Sequence, residues 1–364
     1  MANIQKVQDF LVEHSIDAAL ITNPDNIFYL TDFRSDPHER LLGVVVFKEK
    51  DPFIICPAME VADVKAIGWN YDIIGYKDTD NAFAFLEQAI TERISSFLLL
   101  AIEKQHLTVD RFEILQSRFP SLQFANLDEK LASCRLVKNE IELEHLRKAA
   151  ELADYAIEVG CNEIAEGKTE LEIVQAVETA VKQKGAEKMS FDTIIVSGTK
   201  TASPHGIPGE RKIEKGDFIL FDLGVVYKGY CSDITRTVSF GEPSEEKRKI
   251  YETVKKAQQA AIDVVRPGTL AKEVDLAARS VIEEAGYGEL FPHRIGHGLG
   301  ISVHEYPSLT GTNDMPLEKG MVFTIEPGIY DPAITGVRIE DDLYVTEDGV
   351  EVLTKFPKDL KVIG

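Results

Sequence analysis

Four acids and one histidine in the C-terminal half of the chain, Asp222, Asp233, His297, Glu326 and Glu340, each sit inside a short run that reads as strand or turn. All five are metal-ligating side chains. Four carboxylates gathered in one pocket would repel one another and raise their own pKa values, and two divalent cations would cancel that charge. The pattern is that of a dinuclear metal site. Oxygen-rich ligation with one imidazole suits manganese, cobalt or zinc, whereas thiolates would have selected zinc alone or an iron–sulfur cluster. Of the four cysteines, only Cys231 adjoins these runs.

The surrounding residues indicate how the five would be brought together. Asp222 closes the apolar run Phe218–Ile219–Leu220–Phe221, and Asp233 opens Ile234–Thr235–Arg236–Thr237 after the turn-like Tyr227–Lys228–Gly229. That pattern predicts a hairpin. Its midpoint at Tyr227–Lys228 places the two aspartates opposite each other on one face. Glu326 and Glu340 flank Pro332 and Gly336 in the same manner. Arg338 lies two residues before Glu340, so it points to the same side of its strand, near the metals. Acids beside turns are usually just solvated. Here Phe-Asp-Leu-Gly and Thr-Ile-Glu-Pro-Gly embed them in apolar sequence, where a carboxylate needs a partner.

In order and content, FDLGVVYKGYCSDITRT (Phe221 to Thr237), GHGLGISVHEYP (Gly296 to Pro307), MVFTIEPGIY (Met321 to Tyr330) and GVRIEDDLYVTEDG (Gly336 to Gly349) resemble the motifs of the pita-bread metallopeptidases. Among these the chain most resembles the bacterial Xaa-Pro dipeptidases, or prolidases, from about Asn23 to the C-terminus. The resemblance implies that Asp222, Asp233, His297, Glu326 and Glu340 hold two divalent ions, manganese first with cobalt or zinc as alternatives, and that Asp233 and Glu340 touch both. It also implies His205, His304 and Arg338 around them. His205 sits in the turn-rich Ser203–Pro204–His205–Gly206, and His304 lies beyond His297 in a Gly-rich segment unsuited to a regular helix. The implied activity is hydrolysis of Xaa-Pro dipeptides by a hydroxide bridging the two ions. Glu326 would take its proton and pass it to the leaving nitrogen, while His205 and His304 stabilise the oxyanion. Without the resemblance, any of the carboxylates would serve equally as the base.

A bond preceding proline is a tertiary amide without an N–H, so its ring can be packed apolarly. Dipeptide selectivity additionally needs a clamp for the free carboxylate, to which the planar fork of arginine is suited. In several similar prolidases a basic residue directly follows the His-Glu-x-Pro element, but here that position is Ser308. Arg294, just ahead of Gly296–His297, and Arg338 are the candidate replacements. A third candidate is the charged stretch Arg34 to Arg40, which follows Tyr29–Leu30–Thr31–Asp32–Phe33, similar to the Tyr-Leu-Thr-Gly-Phe element of the family. Related enzymes are dimers whose N-terminal domains overhang the neighbouring active site. The resemblance therefore implies a homodimer with His38 and Arg40 closing over the partner's substrate. An aminopeptidase P-like enzyme, acting on longer peptides, is the alternative within the fold. A non-catalytic peptide-binding module is the alternative from another class, and the presence of all five ligands argues against it.

With 364 residues, two domains are expected. Lys plus Arg is 40 against 61 for Asp plus Glu, a net charge of −21 that argues against nucleic acid or an anionic membrane as partner. No apolar run approaches membrane-spanning length, and Met1 to Ile16 lacks the features of a signal peptide. Cys56, Cys134, Cys161 and Cys231 fit no zinc or disulfide framework and read as small buried hydrophobes, so a cytoplasmic location is expected.

Strand-like runs at Ala18–Ile21, Leu42–Phe47, Phe53–Cys56 and Phe97–Ile102 alternate with helix-like runs near Ile4–Glu13 and Ala82–Ile94. This predicts an α/β N-terminal domain over 1–130, which the resemblance makes creatinase/prolidase-like. Residues 131–364 would form the α+β pita-bread (creatinase/aminopeptidase-like) catalytic domain. Its predicted helices are a long charged one from Glu140 towards Glu163 and Leu171–Lys184, capped by Thr169 and stopped by Gly185. Glu245–Val265 and Ala271–Ala285 follow, on either side of Pro267–Gly268.

Overall fold

The computed structural model describes residues 2–364 and divides the chain into two compact units, Met1–Arg135 and Leu136–Gly364. In the first unit, strands β1 (Ala18–Ile21), β2 (Gly43–Phe47), β3 (Phe53–Pro57), β4 (Asp72–Tyr76), β5 (Leu99–Ile102) and β6 (Gln123–Asn126) form one sheet in the order β4-β3-β2-β1-β5-β6. β1 runs antiparallel to β2 and parallel to β5. Helices α1 (Ala2–Glu13), α2 (Pro24–Thr31), α3 (Val61–Ala66), α4 (Ala82–Thr91), α5 (Val109–Arg118) and α6 (Asp128–Leu136) accompany it. β1, β2 and β3 are buried along their whole length, which is why their sequences are continuous apolar runs rather than alternating ones. The strands with weaker sequence signals, β4 and β6, are the sheet edges and are largely exposed or half-buried. The boundary expected near residue 130 falls inside α6, whose Asp128 and Glu129 open a helix instead of a linker.

The second unit begins with α7 (Glu140–Glu163) and α8 (Glu170–Gln183). Each starts with a reciprocal cap: Asn139 Oδ1 accepts from the Glu142 amide (3.0 Å) while Glu142 accepts from the Asn139 amide (2.8 Å), and Thr169 and Glu172 repeat the arrangement. These helices pack on β8 (Ile194–Ser197), β9 (Phe218–Leu223) and β12 (Ile234–Phe240), after the short β7 (Lys188–Met189) and with β10 (Val225–Tyr227) and β11 (Tyr230–Cys231) between β9 and β12. Gly160 on α7 permits the close approach, since a Cβ there would lie 2.5 Å from the Phe221 ring. A second half follows: α9 (Glu245–Val264) and α10 (Ala271–Glu284) cover a sheet of β13 (Gly296–Gly298), β14 (Glu305–Leu309), β15 (Val322–Ile325), β18 (Asp341–Val345) and β19 (Val350–Val352). β16 (Gly328–Asp331) and β17 (Thr335–Arg338) form a hairpin between β15 and β18, and β20 (Val362–Ile363) returns to pair with β12.

The registers decide where the acids fall. β9 and β12 pair Asp222 with Thr235, not with Asp233. The β10–β11 turn is centred on Lys228 and Gly229, with φ of 45° and 83°, so both positions adopt the left-handed backbone that a tight two-residue hairpin turn requires. The expected midpoint was Tyr227–Lys228, and this displacement makes Asp222 and Asp233 diagonal neighbours on one face rather than opposed residues. In the second hairpin, Ile325 pairs with Asp341 and Gly328 with Arg338, so Glu326 and Glu340 do face each other.

Candidate metal centre and active site

Asp222 lies near the end of β9, Asp233 just before β12, His297 in β13, Glu326 just after β15 and Glu340 just before β18. All five line one cavity of about 680 Å³. Ligand atoms of Asp233, His297 and Glu340 lie within 4.8 Å of one another. His297 Nε2 is 3.3 Å from Glu326 Oε1 and 3.8 Å from Asp233 Oδ2. Its Nδ1 is 3.1 Å from the Gly298 carbonyl, and donation there leaves the Nε2 lone pair facing the carboxylates. Asp222 completes the set from the side, its carboxylate paired with Arg338.

Burial and mutual repulsion dominate the electrostatics. Burial, then Glu340 and Asp222, push the Asp233 carboxyl far above its ordinary value, and burial with Glu326 and Asp222 does the same to Glu340. Burial raises Glu326 to about 7 and depresses His297 to about 3. Asp233 Oδ1 is buried without a hydrogen-bond partner among the described residues. An orphaned carboxylate oxygen, an available imidazole lone pair and carboxylates in excess over local cations form a donor set that fits divalent metal ions. Cys231, the one neighbouring thiol, donates to the Ile301 carbonyl at 3.3 Å.

A polar frame fixes this set. Arg338 donates from Nε to the Thr235 hydroxyl (3.0 Å), which in turn donates to Glu340 Oε2 (2.6 Å). Arg338 also donates to the Tyr330 hydroxyl (2.9 Å), which lies 2.9 Å from His293 Nε2, and His293 Nδ1 lies 2.8 Å from the Arg294 carbonyl. One assignment of protons satisfies this chain: Tyr330 donates to Nε2 and His293 donates from Nδ1 to the carbonyl. Burial holds His293 down to about 4, so it is neutral at physiological pH. Behind the ligands, buried Arg236 donates to the Glu340, Thr235 and Phe356 carbonyls and to Asp341 Oδ1 (2.6 Å). Burial alone would raise the Asp341 carboxyl, but Arg236 and Lys358 hold it below its ordinary value.

His205 and His304 line the same cavity, and the His304 ring stands edge-on to His297 with centroids 4.1 Å apart. Burial and then Arg294 lower the His304 pKa. Arg294 also lines the cavity and donates to Ser308 Oγ at 3.0 Å. His38 and Arg40 belong to the first unit, where His38 is an exposed residue with φ of 52° and Arg40 is paired with Asp78 through two hydrogen bonds of 2.8 and 3.1 Å. The sequence reading passed over His293, Tyr330 and Thr235. His293 stands in Phe291–Pro292–His293–Arg294, shortly before His297, and Tyr330 and Thr235 lie inside two of the quoted motifs, which was the available signal.

Known proteins resemble this chain along its whole length. Residues 144–347 match metallopeptidase family M24, and residues 3–137 match the creatinase/prolidase N-terminal domain. YkvY of Bacillus subtilis (strain 168), provisionally named a dipeptidase, is 48% identical over 363 residues, covering 100% of both chains. The structure of an Xaa-Pro dipeptidase from Bacillus anthracis superimposes with a TM-score of 0.93 at 35% identity, covering 100% of this chain and 99% of that one. A prolidase from Pyrococcus horikoshii OT3 gives 0.91 at 37% identity, covering 99% and 100%. Among the described residues no helix is long and apolar enough to cross a membrane. The chain is a peptidase with the prolidase pita-bread fold and belongs to metallopeptidase family M24.

Proposed function

We propose that the chain is an Xaa-Pro dipeptidase that works with two divalent ions held by Asp222, Asp233, His297, Glu326 and Glu340. The observation that carries this reading is the convergence of all five on one cavity of about 680 Å³, with Asp233, His297 and Glu340 in ligating reach of one another. Similarity to dipeptidases and prolidases along the whole chain supports the substrate class. Metal ions bound here supply an acidified water and polarise the scissile carbonyl, with manganese as our first assignment and cobalt or zinc next.

The protein's own groups do the rest. Glu326, set among the ligands in the cavity, takes a proton from the attacking water and gives it to the proline nitrogen as the C–N bond breaks. His205 and His304 donate N–H bonds to the oxyanion of the tetrahedral intermediate. Arg338 orients Asp222 directly and Glu340 through Thr235. The proposed setting is a homodimer in the cytoplasm; four buried, unbridged cysteines support a reducing compartment.

The test is hydrolysis of Leu-Pro and Leu-Pro-Pro by chelator-treated protein, with and without added manganese, cobalt or zinc. Metal-restored cleavage confined to Leu-Pro is expected. Cleavage of the tripeptide would move the assignment to an aminopeptidase P-like enzyme, and inactivity with every metal would leave a peptide-binding module.

A further inference from the structure

Glu170 is fully buried, yet it stands outside the metal centre and caps no helix. It opens α8, where the reciprocal cap is made by Thr169 and Glu172. Among the described residues its carboxylate accepts four hydrogen bonds, and all four come from one later segment. Oε1 accepts from the Ser197 amide (2.8 Å) and the Ser197 hydroxyl (2.9 Å), and Oε2 from Lys200 Nζ (2.6 Å) and the Gly209 amide (2.9 Å). A carboxylate offers about four lone-pair sites, so its capacity is filled, as a buried charge requires. One side chain thus ties together both ends of segment 197–209. The Leu171 amide of α8 holds Gly209 a second time, through its carbonyl (3.4 Å).

That segment carries His205 into the cavity. The His293 ring has a partner at both nitrogens, whereas the imidazole of His205 has no hydrogen bond among the described residues. Its place is therefore set by its backbone. The Gly206 amide donates to the Ser203 carbonyl (3.0 Å) and closes a turn around His205. On the side away from Glu170, the segment rests on β17, the strand that leads to Glu340. Thr201 Oγ1 accepts from the Gly336 amide (2.8 Å), and a Cβ at Gly336 would lie 1.9 Å from the Thr201 carbonyl oxygen, so this approach requires glycine. Arg338 donates to the Pro204 carbonyl at 3.4 Å.

Building on the dipeptidase assignment, in which His205 donates to the oxyanion, we propose that Glu170 and Lys200 are positioning residues for His205. They pin 197–209 so that the imidazole is in place before substrate arrives. Stabilisation of an oxyanion depends on donors that need no rearrangement as charge develops, and a misplacement of about 1 Å can cost about 100-fold in rate. Neither Glu170 nor Lys200 lines the cavity, and both act through the backbone that carries the ring.

The test measures kcat and KM for Leu-Pro with metal-loaded protein, placing Glu170→Gln, Lys200→Met and Lys200→Arg both in the parent and in His205→Ala. In the parent, Glu170→Gln is expected to lower kcat about 10-fold and Lys200→Met about 3-fold, with KM held within about 2-fold and Lys200→Arg close to the parent. In His205→Ala the same substitutions should change kcat by less than about 2-fold, because the group they place is gone. Losses of equal size with and without His205 would make Glu170 and Lys200 structural only and overturn the proposal, as would an unchanged kcat in both Glu170→Gln and Lys200→Met. Lys200 is the half-buried member of the pair, so its two variants carry the test if Glu170→Gln does not fold. If the unmodified protein cleaves no Leu-Pro, the dipeptidase assignment fails by itself. Hydrogen exchange read by mass spectrometry then judges the pin: faster exchange confined to 197–209 in Lys200→Met upholds it, and unchanged exchange there refutes it.

Discussion

Arg236→Met should be among the most damaging single substitutions in the second unit. Arg236 is 1% exposed and donates to three backbone carbonyls, of Thr235, Glu340 and Phe356, besides the Asp341 carboxylate. Methionine fills much of the volume but leaves the carboxylate buried with only Gln258, Thr354 and Lys358 around it. Removing one partner of a buried pair costs about 3–5 kcal/mol when the other charge stays behind; here Lys358, 3.1 Å from Asp341, still balances part of that charge, while three carbonyls lose their donor. For a unit of this size each kcal/mol moves the midpoint by about 2–4 °C, so about 4 kcal/mol corresponds to a fall of roughly 8–16 °C. Calorimetry or far-UV dichroism on metal-free protein measures it. Because part of the penalty is a buried charge left with Lys358 as its one cationic partner, Arg236→Met combined with Asp341→Leu should be more stable than Arg236→Met alone by about 1 kcal/mol. A loss below about 1 kcal/mol in the single variant, or a double variant less stable than the single, would refute the reasoning.

Three further outcomes are expected. Asp233→Ala should abolish metal-dependent turnover and weaken manganese binding in a calorimetric titration while leaving the fold intact, since it removes a ligand and relieves repulsion; near-normal turnover would contradict its assignment. Glu326 is raised by burial from 4.5 to about 7, so the metal-free protein holds this proton where the unfolded chain has lost it. Stability from this group is therefore full below about pH 4.5 and declines through about pH 7, by roughly 3 kcal/mol. Because His293 and His297, held neutral, pull the other way below about pH 6.5, the measure is Glu326→Gln against the parent in chelated protein, and an equal change in melting from about pH 5 to about pH 7.5 in both would sink the argument. Gly160→Ala should cost about 1–3 kcal/mol in urea unfolding, because its methyl group meets the Phe221 ring; an unchanged urea midpoint would show that the ring yields freely.

The parts of the molecule legible in sequence were those governed by local rules. Helix α7 announced itself through its charged face, α8 through the Thr169 cap, and the strands of the first sheet through unbroken apolar runs. The ligand acids stood out because carboxylates inside apolar sequence are costly without a partner. Register was not legible to one residue, because only the backbone angles at Lys228 and Gly229 decide which residue Asp222 faces. Nor was the frame around the ligands. Arg236 and Asp341 are 105 positions apart and Arg338 and Asp222 are 116 apart, so nothing in their neighbourhoods announces the pairing. The Asp275–Arg279 pair has ordinary helical spacing, and only the fold shows that its outward bonds end on Phe291, His293 and Ile295.

The Lys228–Gly229 turn also limits how this chain can change in length. Strand side chains alternate faces, so inserting or deleting one residue in the turn would send Asp233 to the opposite side of the sheet and empty its place in the cavity. Gene variants that lengthen or shorten this hairpin by a single codon should therefore be lost, even though its tip lies in a turn, where loops ordinarily accept insertions. Purification tags, reporter domains and new chain ends belong at other turns, and this one sets the ruler by which two aspartates eleven positions apart are kept on one face.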